Sequence, residues 1–275
     1  MPPPEKLYVY EIAGRVNPPP GLTAQDFLGC WREGAYSYLF FSSPRIDEVR
    51  AWLEEQPEAG RYLSETVLNY ADWEAGQHLK PTRVAGFYLC PIWDDPAPAP
   101  GEVLLRLEPG LAFGSGYHPT TRLCLTLLES VFREDPPTTV LDLGTGTGVL
   151  ALAALALGTK KVVALEYNEL AVLTAKRNLR HNQREKDVLL IQGDARHFAH
   201  LPADLACANI HLDVLLDLLD LPEFLNRKWF MFSGILGTQM GRFREALSAT
   251  PLRIVEVLDE NLWFAVLAKN TRRMK

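Results

Sequence analysis

The chain has 275 residues, 47% of them hydrophobic, and a formal net charge of −6. That length exceeds one typical domain and the apolar fraction is ample for a conventional core, so two folded domains are expected. The acidic balance gives no footprint for sequence-independent nucleic-acid binding and suits a cationic partner such as a basic protein.

No apolar run is long enough to span a bilayer, and Met1-Pro2-Pro3-Pro4-Glu5 lacks the basic-then-apolar order of a secretory signal. A cytoplasmic protein with no membrane partner is expected. Cys30, Cys90, Cys124 and Cys207 are scattered, with no Cys-x-x-Cys pair and no short-spaced histidine partner. They read as buried thiols and give no metal site.

Residues 7–12 and 35–41 have strand composition. A helix is expected next: Ser43 is placed to cap it, Pro44 to open it, and Ile46, Val49, Trp52 and Leu53 recur at helical spacing as far as Glu55. Residues 1–70 therefore read as a small α/β domain. Between about 70 and 101 the pattern breaks down, and Asp94-Asp95-Pro96-Ala97-Pro98-Ala99-Pro100 is stiff, solvated and unable to enter a sheet. Residues 71–102 read as a linker. From Val103 to the end, apolar strands alternate with helical stretches, the pattern of a mostly parallel sheet covered on both faces.

Ahead of the first central strand stands Phe113-Gly114-Ser115-Gly116-Tyr117-His118-Pro119-Thr120-Thr121, a loop running into an amphipathic helix. Pro119 suits the first helical turn and His118 can cap it, so on composition alone a structural role weighs as much as a functional one.

The most informative stretch follows. Val140-Leu141-Asp142-Leu143 is a short apolar strand, Gly144-Thr145-Gly146-Thr147-Gly148 is a glycine turn, and residues 149–156 form helix. Glycines at alternate positions permit positive φ and remove Cβ atoms, so the chain can approach a ligand closely and point free N–H groups at a carboxylate. The next apolar run closes on Glu166, where a carboxylate can accept both hydroxyls of a ribose. A dinucleotide site would place its third glycine where Val149 stands. The spacing therefore favours S-adenosylmethionine over NAD. A tight strand-to-helix turn accounts for the glycines alone, but Asp142 and Glu166 add to the functional reading.

Asn168 is placed to cap the following helix. Asp194 then follows the strand at 188–191, at a carboxyl end where an adenine amino group can be read, although a surface turn explains it almost as well. The strand at 204–208 ends in Asn209-Ile210-His211. Asn209 can offer its side-chain carbonyl to a substrate N–H and so orient a nitrogen lone pair. His211 reads as an ordinary loop histidine rather than a general base.

Taken together, Asp72-Trp73, Lys80-Pro81, the Phe-Gly-x-Gly-x-His-Pro-Thr-Thr run, the glycine loop, Glu166 to Asn182, Ala208-Asn209-Ile210 and Ser233-Gly234-Ile235-Leu236 resemble the PrmA family of ribosomal protein L11 methyltransferases. The resemblance implies a Rossmann-like class I methyltransferase domain behind a small N-terminal α/β, ferredoxin-like domain that recognises substrate. It implies transfer from S-adenosylmethionine to lysine and N-terminal amines of a large-subunit ribosomal protein. Carried over by motif, Asn209 is the catalytic residue. Phe113, Gly114, His118, Thr120, Thr121, Asp142, Gly144, Gly146, Glu166, Asp194 and Asn209 are the cofactor-binding residues. Glu166 stands where that family commonly has aspartate, Tyr167-Asn168 replaces a more usual Ile-Asp, and His211 replaces leucine. The N-terminal segment matches weakly. RNA or a small molecule as acceptor, a noncatalytic cofactor-binding module and an NAD enzyme are the rival readings.

Overall fold

The computed structural model describes residues 4–23, 26–70, 80–108, 110–111 and 116–273. The chain divides into two compact units, 1–78 and 79–275.

In the first unit, β1 (Lys6–Ala13), β2 (Phe27–Glu33), β3 (Tyr36–Phe41) and β4 (Arg61–Asn69) form one sheet in the order β2-β3-β1-β4. All three pairings are antiparallel. This is the order of a ferredoxin-like sheet. Turns and coil stand in place of a first helix among the described residues between β1 and β2. Helix α1 (Ile46–Glu55) buries Val49, Trp52 and Leu53 in a core with Tyr10, Ile12, Leu39 and Phe41.

The expected helix is present, but it begins at Ile46 without a side-chain cap. Ser43 instead donates its hydroxyl to Asp26, and the Arg45 N–H donates to the Tyr10 hydroxyl at 2.6 Å. Asp26 is a stronger acceptor for the serine than a helix end two residues away.

Residues 79–102 belong with the second unit rather than to a linker. β5 (Thr82–Val84), β6 (Phe87–Pro91) and β7 (Val103–Leu107) form a three-stranded sheet, in which β6 is buried along its whole length and runs parallel to β7. The proline run between β6 and β7 stays out of the sheet, as expected.

The main sheet has seven strands in the order β10-β9-β8-β11-β12-β14-β13. They are β8 (Thr139–Leu143), β9 (Lys161–Glu166), β10 (Val188–Gln192), β11 (Leu205–Asn209), β12 (Trp229–Leu236), β13 (Leu252–Glu260) and β14 (Trp263–Asn270). β8 to β12 are parallel, and β14 enters antiparallel to β12. Helices α2 (Pro119–Glu134), α3 (Val149–Ala156) and α4 (Glu169–His181) cover one face, while α5 (Leu212–Leu219) and α6 (Met240–Ser248) cover the other.

Alternation along the strands feeds both cores. Trp229 and Met231 enter the first, Phe230 and Phe232 the second. The chain order reverses between β8 and β11, so the connections after these strands leave in opposite directions and open a crevice at their carboxyl ends. All four cysteines are free and buried, as their spacing suggests.

One glycine fixes the floor of that crevice. Gly234 sits at φ +83°, at a register shift in β12, and a Cβ there would lie 2.3 Å from the Ile210 carbonyl oxygen. Gly234→Ala is expected to destabilise the fold by roughly 2–4 kcal/mol, because backbone rather than a flexible side chain must move. Urea denaturation measures this, and a loss below about 0.5 kcal/mol would contradict the close approach.

Candidate active site

A cavity of about 710 Å³ opens at the carboxyl ends of the parallel strands, within the range that encloses a small cofactor. Its wall includes Gly144 and Gly146 after β8, Glu166 and Tyr167 at the end of β9, Asp194 after β10, Asn209 ending β11, Gly234 in β12 and Trp263 opening β14.

The glycine turn adopts the conformation that only glycine takes freely. Gly144, Gly146 and Gly148 have φ of 74°, 56° and 82°. The N–H groups do not point into the cavity as expected. Gly144 and Thr145 both donate to the Leu165 carbonyl at 2.9 Å, Gly148 donates to Thr145 at 2.8 Å, and Gly146 donates to Glu166 Oε2 at 3.0 Å. The turn is closed on itself and on β9. It offers a surface without side chains rather than a nest for an anion.

Glu166 anchors that closure. Its other oxygen accepts the Asn168 N–H at 2.9 Å, and burial raises its carboxyl above the ordinary glutamate value. The Tyr167 N–H bonds to the carboxylate as well, which leaves one lone-pair site for a further donor. Asp142, in β8, is 1% exposed and lies outside the cavity wall. Its Oδ2 accepts the Thr145 hydroxyl at 2.6 Å, its Oδ1 has no partner, and burial pushes its carboxyl up to about 6.

His118 caps α2 through its ring, which accepts the Thr120 N–H at 3.3 Å, and Pro119 occupies the first helical position. The capping role expected from the sequence is met, and His118 and Thr120 also line the cavity. The imidazole meets Trp263 edge-to-face at 4.9 Å, and burial, aided by Arg122, lowers its pKa and keeps it neutral at pH 7. Thr121 is fully buried beneath the wall, with an unpartnered Oγ1. Phe113 and Gly114 lie outside the described residues.

Asp194 lines the cavity at its other end, but it is also a turn residue. It caps a 3-10 turn (Ala195–Phe198), accepts the Arg196 N–H at 2.9 Å and pairs with the Arg196 guanidinium, which holds its carboxyl below the usual range. The buried Arg227 guanidinium donates to the carbonyls of Ala199, Leu201 and Phe224 and fastens the following chain. Asn209 ends β11 with a buried, unpartnered Oδ1. His211 lies on the wall, exposed, at the start of α5. Among the described residues no group of His, Cys, Asp and Glu could hold a metal.

The structure therefore gathers His118, Thr120, Gly144, Gly146, Glu166, Asp194 and Asn209 around one cavity, and sets Thr121 and Asp142 behind it. Sequence reading did not single out Trp263, Tyr167 or Arg196 as wall residues. Trp263 reaches the wall only because β14 runs antiparallel to β12. No local motif carries that information.

This sequence and fold match a known family. The family model for ribosomal protein L11 methyltransferase (PrmA) matches residues 30–271. The chain belongs to the PrmA family of methyltransferases. It is 32% identical over 235 residues to the ribosomal protein L11 methyltransferase of Alkaliphilus oremlandii, covering 82% of this chain and 74% of that one. To the Symbiobacterium thermophilum protein of the same name it is 37% identical over 230 residues, covering 81% and 73%. It thus spans about three quarters of each of these two curated relatives. The crystal structure of ribosomal protein L11 methylase from Lactobacillus delbrueckii subsp. bulgaricus superposes with a TM-score of 0.63 at 29% identity, over 70% of this chain and 98% of that one. The PrmA match extends across the boundary between the units and includes most of the N-terminal sheet.

Asp142 yields a pH test. Its folded pKa of about 6 lies above the ordinary 3.8, so the native state holds its proton more firmly than the unfolded chain does. Stability is expected to fall as pH rises from about 4 to 6, by ~3 kcal/mol from this group, and then to level off. Asp142→Asn removes that slope. Denaturant midpoints for both proteins at pH 4.5 and 7.5 measure the difference, and parallel pH profiles would contradict the assignment.

Proposed function

We propose that the protein transfers methyl groups from S-adenosylmethionine to lysine and N-terminal amines of a large-subunit ribosomal protein. The observation that carries this reading is the buried Asn209 Oδ1, unpartnered at the cavity wall on the strand that pairs beside the glycine turn. An acceptor atom left without a donor costs about 1–3 kcal/mol, which an incoming amine N–H would remove.

The residues fit the cofactor. Glu166 retains a lone-pair site suited to a ribose hydroxyl, and Gly144 and Gly146 leave room for close approach. Thr121 Oγ1 and Asp142 Oδ1 are unsatisfied behind the turn, where a hydroxyl or ammonium donor, directly or through water, would complete them. Asp194 would read the adenine amino group with acceptor capacity that Arg196 already shares.

When bound, the sulfonium supplies an electrophilic methyl group. The protein's own part is position and dryness. Asn209 would accept one amine N–H and so aim the nitrogen lone pair along the attack line. The neutral His118 ring adds no positive charge that would repel an arriving ammonium. An apolar wall lowers the pKa of the amine and favours its loss of a proton to water before attack.

The acidic balance, −6 overall, favours a basic protein acceptor over RNA. Labelled S-adenosylmethionine is expected to mark ribosomal protein L11 and to leave ribosomal RNA unmarked, with mass spectrometry locating the amines. Asn209→Ala is expected to lower kcat at least ~100-fold while changing cofactor affinity less than about tenfold. A kcat within twofold of wild type removes Asn209 from its role.

A further inference from the structure

The hairpin between β13 and β14 turns in two residues, Asn261 and Leu262, because Glu260 pairs directly with Trp263. Both turn residues have positive φ, 50° and 68°. That is the signature of the tight hairpin turn that favours Asn-Gly, with glycine in the second place. A leucine there is a backbone outlier, and its side chain is 78% exposed, so it gains little burial in exchange.

A single exposed leucine is ordinary on a protein surface. A leucine held in the left-handed region, where glycine would be relaxed, is not. Strain of this kind persists where the surroundings impose it, and it concentrates at ligand clamps. Here the surroundings do impose it. The Leu262 carbonyl accepts the Gly237 N–H at 2.8 Å, and Arg122 clamps Glu260 with its Nε at 3.0 Å from the carboxylate.

The position is also specific. Trp263, the next residue, forms the cavity wall against His118. Glu166 and Asp194, suited to a nucleoside, lie at the ends of β9 and β10 on the far side of the switch point. The β12–β14 end of the cavity, beside Asn209, is therefore where an acceptor would enter. Leu262 is the exposed apolar tip of the β13–β14 hairpin. An apolar tip there suits a protein segment in which the reacting amine is flanked by an apolar residue.

We propose that Leu262 is a specificity-determining residue that grips the apolar flank of the protein acceptor at the cavity mouth. The proposal rests on the methyltransferase reading above and deepens it. It assigns Leu262 to acceptor recognition alone, with no contact to the cofactor.

The test compares the full-length wild type with Leu262→Gly and Leu262→Met, using ribosomal protein L11 and labelled S-adenosylmethionine. Leu262→Gly produces an Asn-Gly turn and removes the outlier, so the thermal midpoint is expected to stay level or rise by up to about 4 °C. Its KM for L11 is expected to increase roughly tenfold, with kcat and cofactor affinity unchanged. Leu262→Met keeps an apolar side chain and is expected to retain a KM near the wild-type value. An unchanged KM in Leu262→Gly, or a loss matched by Leu262→Met, overturns the assignment while the methyltransferase reading stands. Absence of label on L11 with the wild type overturns both.

Discussion

Two carboxylates ending neighbouring strands set the character of this molecule. Asp142 and Glu166 sit in β8 and β9 beneath and beside the glycine turn, buried and with no cation among the groups that perturb them. Charged groups so placed are costly, and a fold selected only for stability would replace them with apolar side chains. Their partial satisfaction by Thr145, Gly146 and Asn168 holds the turn shut against β9. Glu166 also lines the cavity, whereas Asp142 lies behind its wall. The turn's geometry, the cavity's shape and the polarity of its wall follow from that one compromise.

The rest of the fold supports it. The reversal of chain order between β8 and β11 brings Asn209 beside the turn, and the contact of Gly234 with the Ile210 carbonyl fixes the height of that strand end. Arg227, buried without a carboxylate and with burial lowering its pKa to about 10, ties down the chain after Asp194. The close approach at Gly234 spends stability at the carboxyl edge of the sheet, where preorganisation matters, and the two large apolar cores elsewhere offset it.

Local chemistry was legible in the sequence where a motif fits within one strand and one turn. The glycine turn, Glu166 at the end of β9, the caps by His118 and Asn168, and Asn209 at the end of β11 all stand where periodicity and capping rules put them. Interactions distant in sequence were not. β6 reads as linker because the pattern breaks down between about 70 and 101 beside the proline run at 94–100, yet Phe87 to Pro91 is a fully buried strand once β7 lies beside it. β2 and β4 carry partly exposed, mixed sequences without clean alternation, and only their pairing to β3 and β1 makes them strands. The N–H groups of the glycine turn were expected to be free; the Leu165 carbonyl and the Glu166 side chain, both from the neighbouring strand, consume them.

The sequestered thiols have a practical consequence. Burial raises the Cys90, Cys124 and Cys207 thiols above the ordinary value, Cys124 to about 12, and Cys30 is buried as well. A maleimide reagent at neutral pH thus meets almost no native thiolate. One cysteine engineered onto an exposed strand would take a fluorophore nearly alone, so the protein is already a low-background scaffold for optical measurement of its own motions.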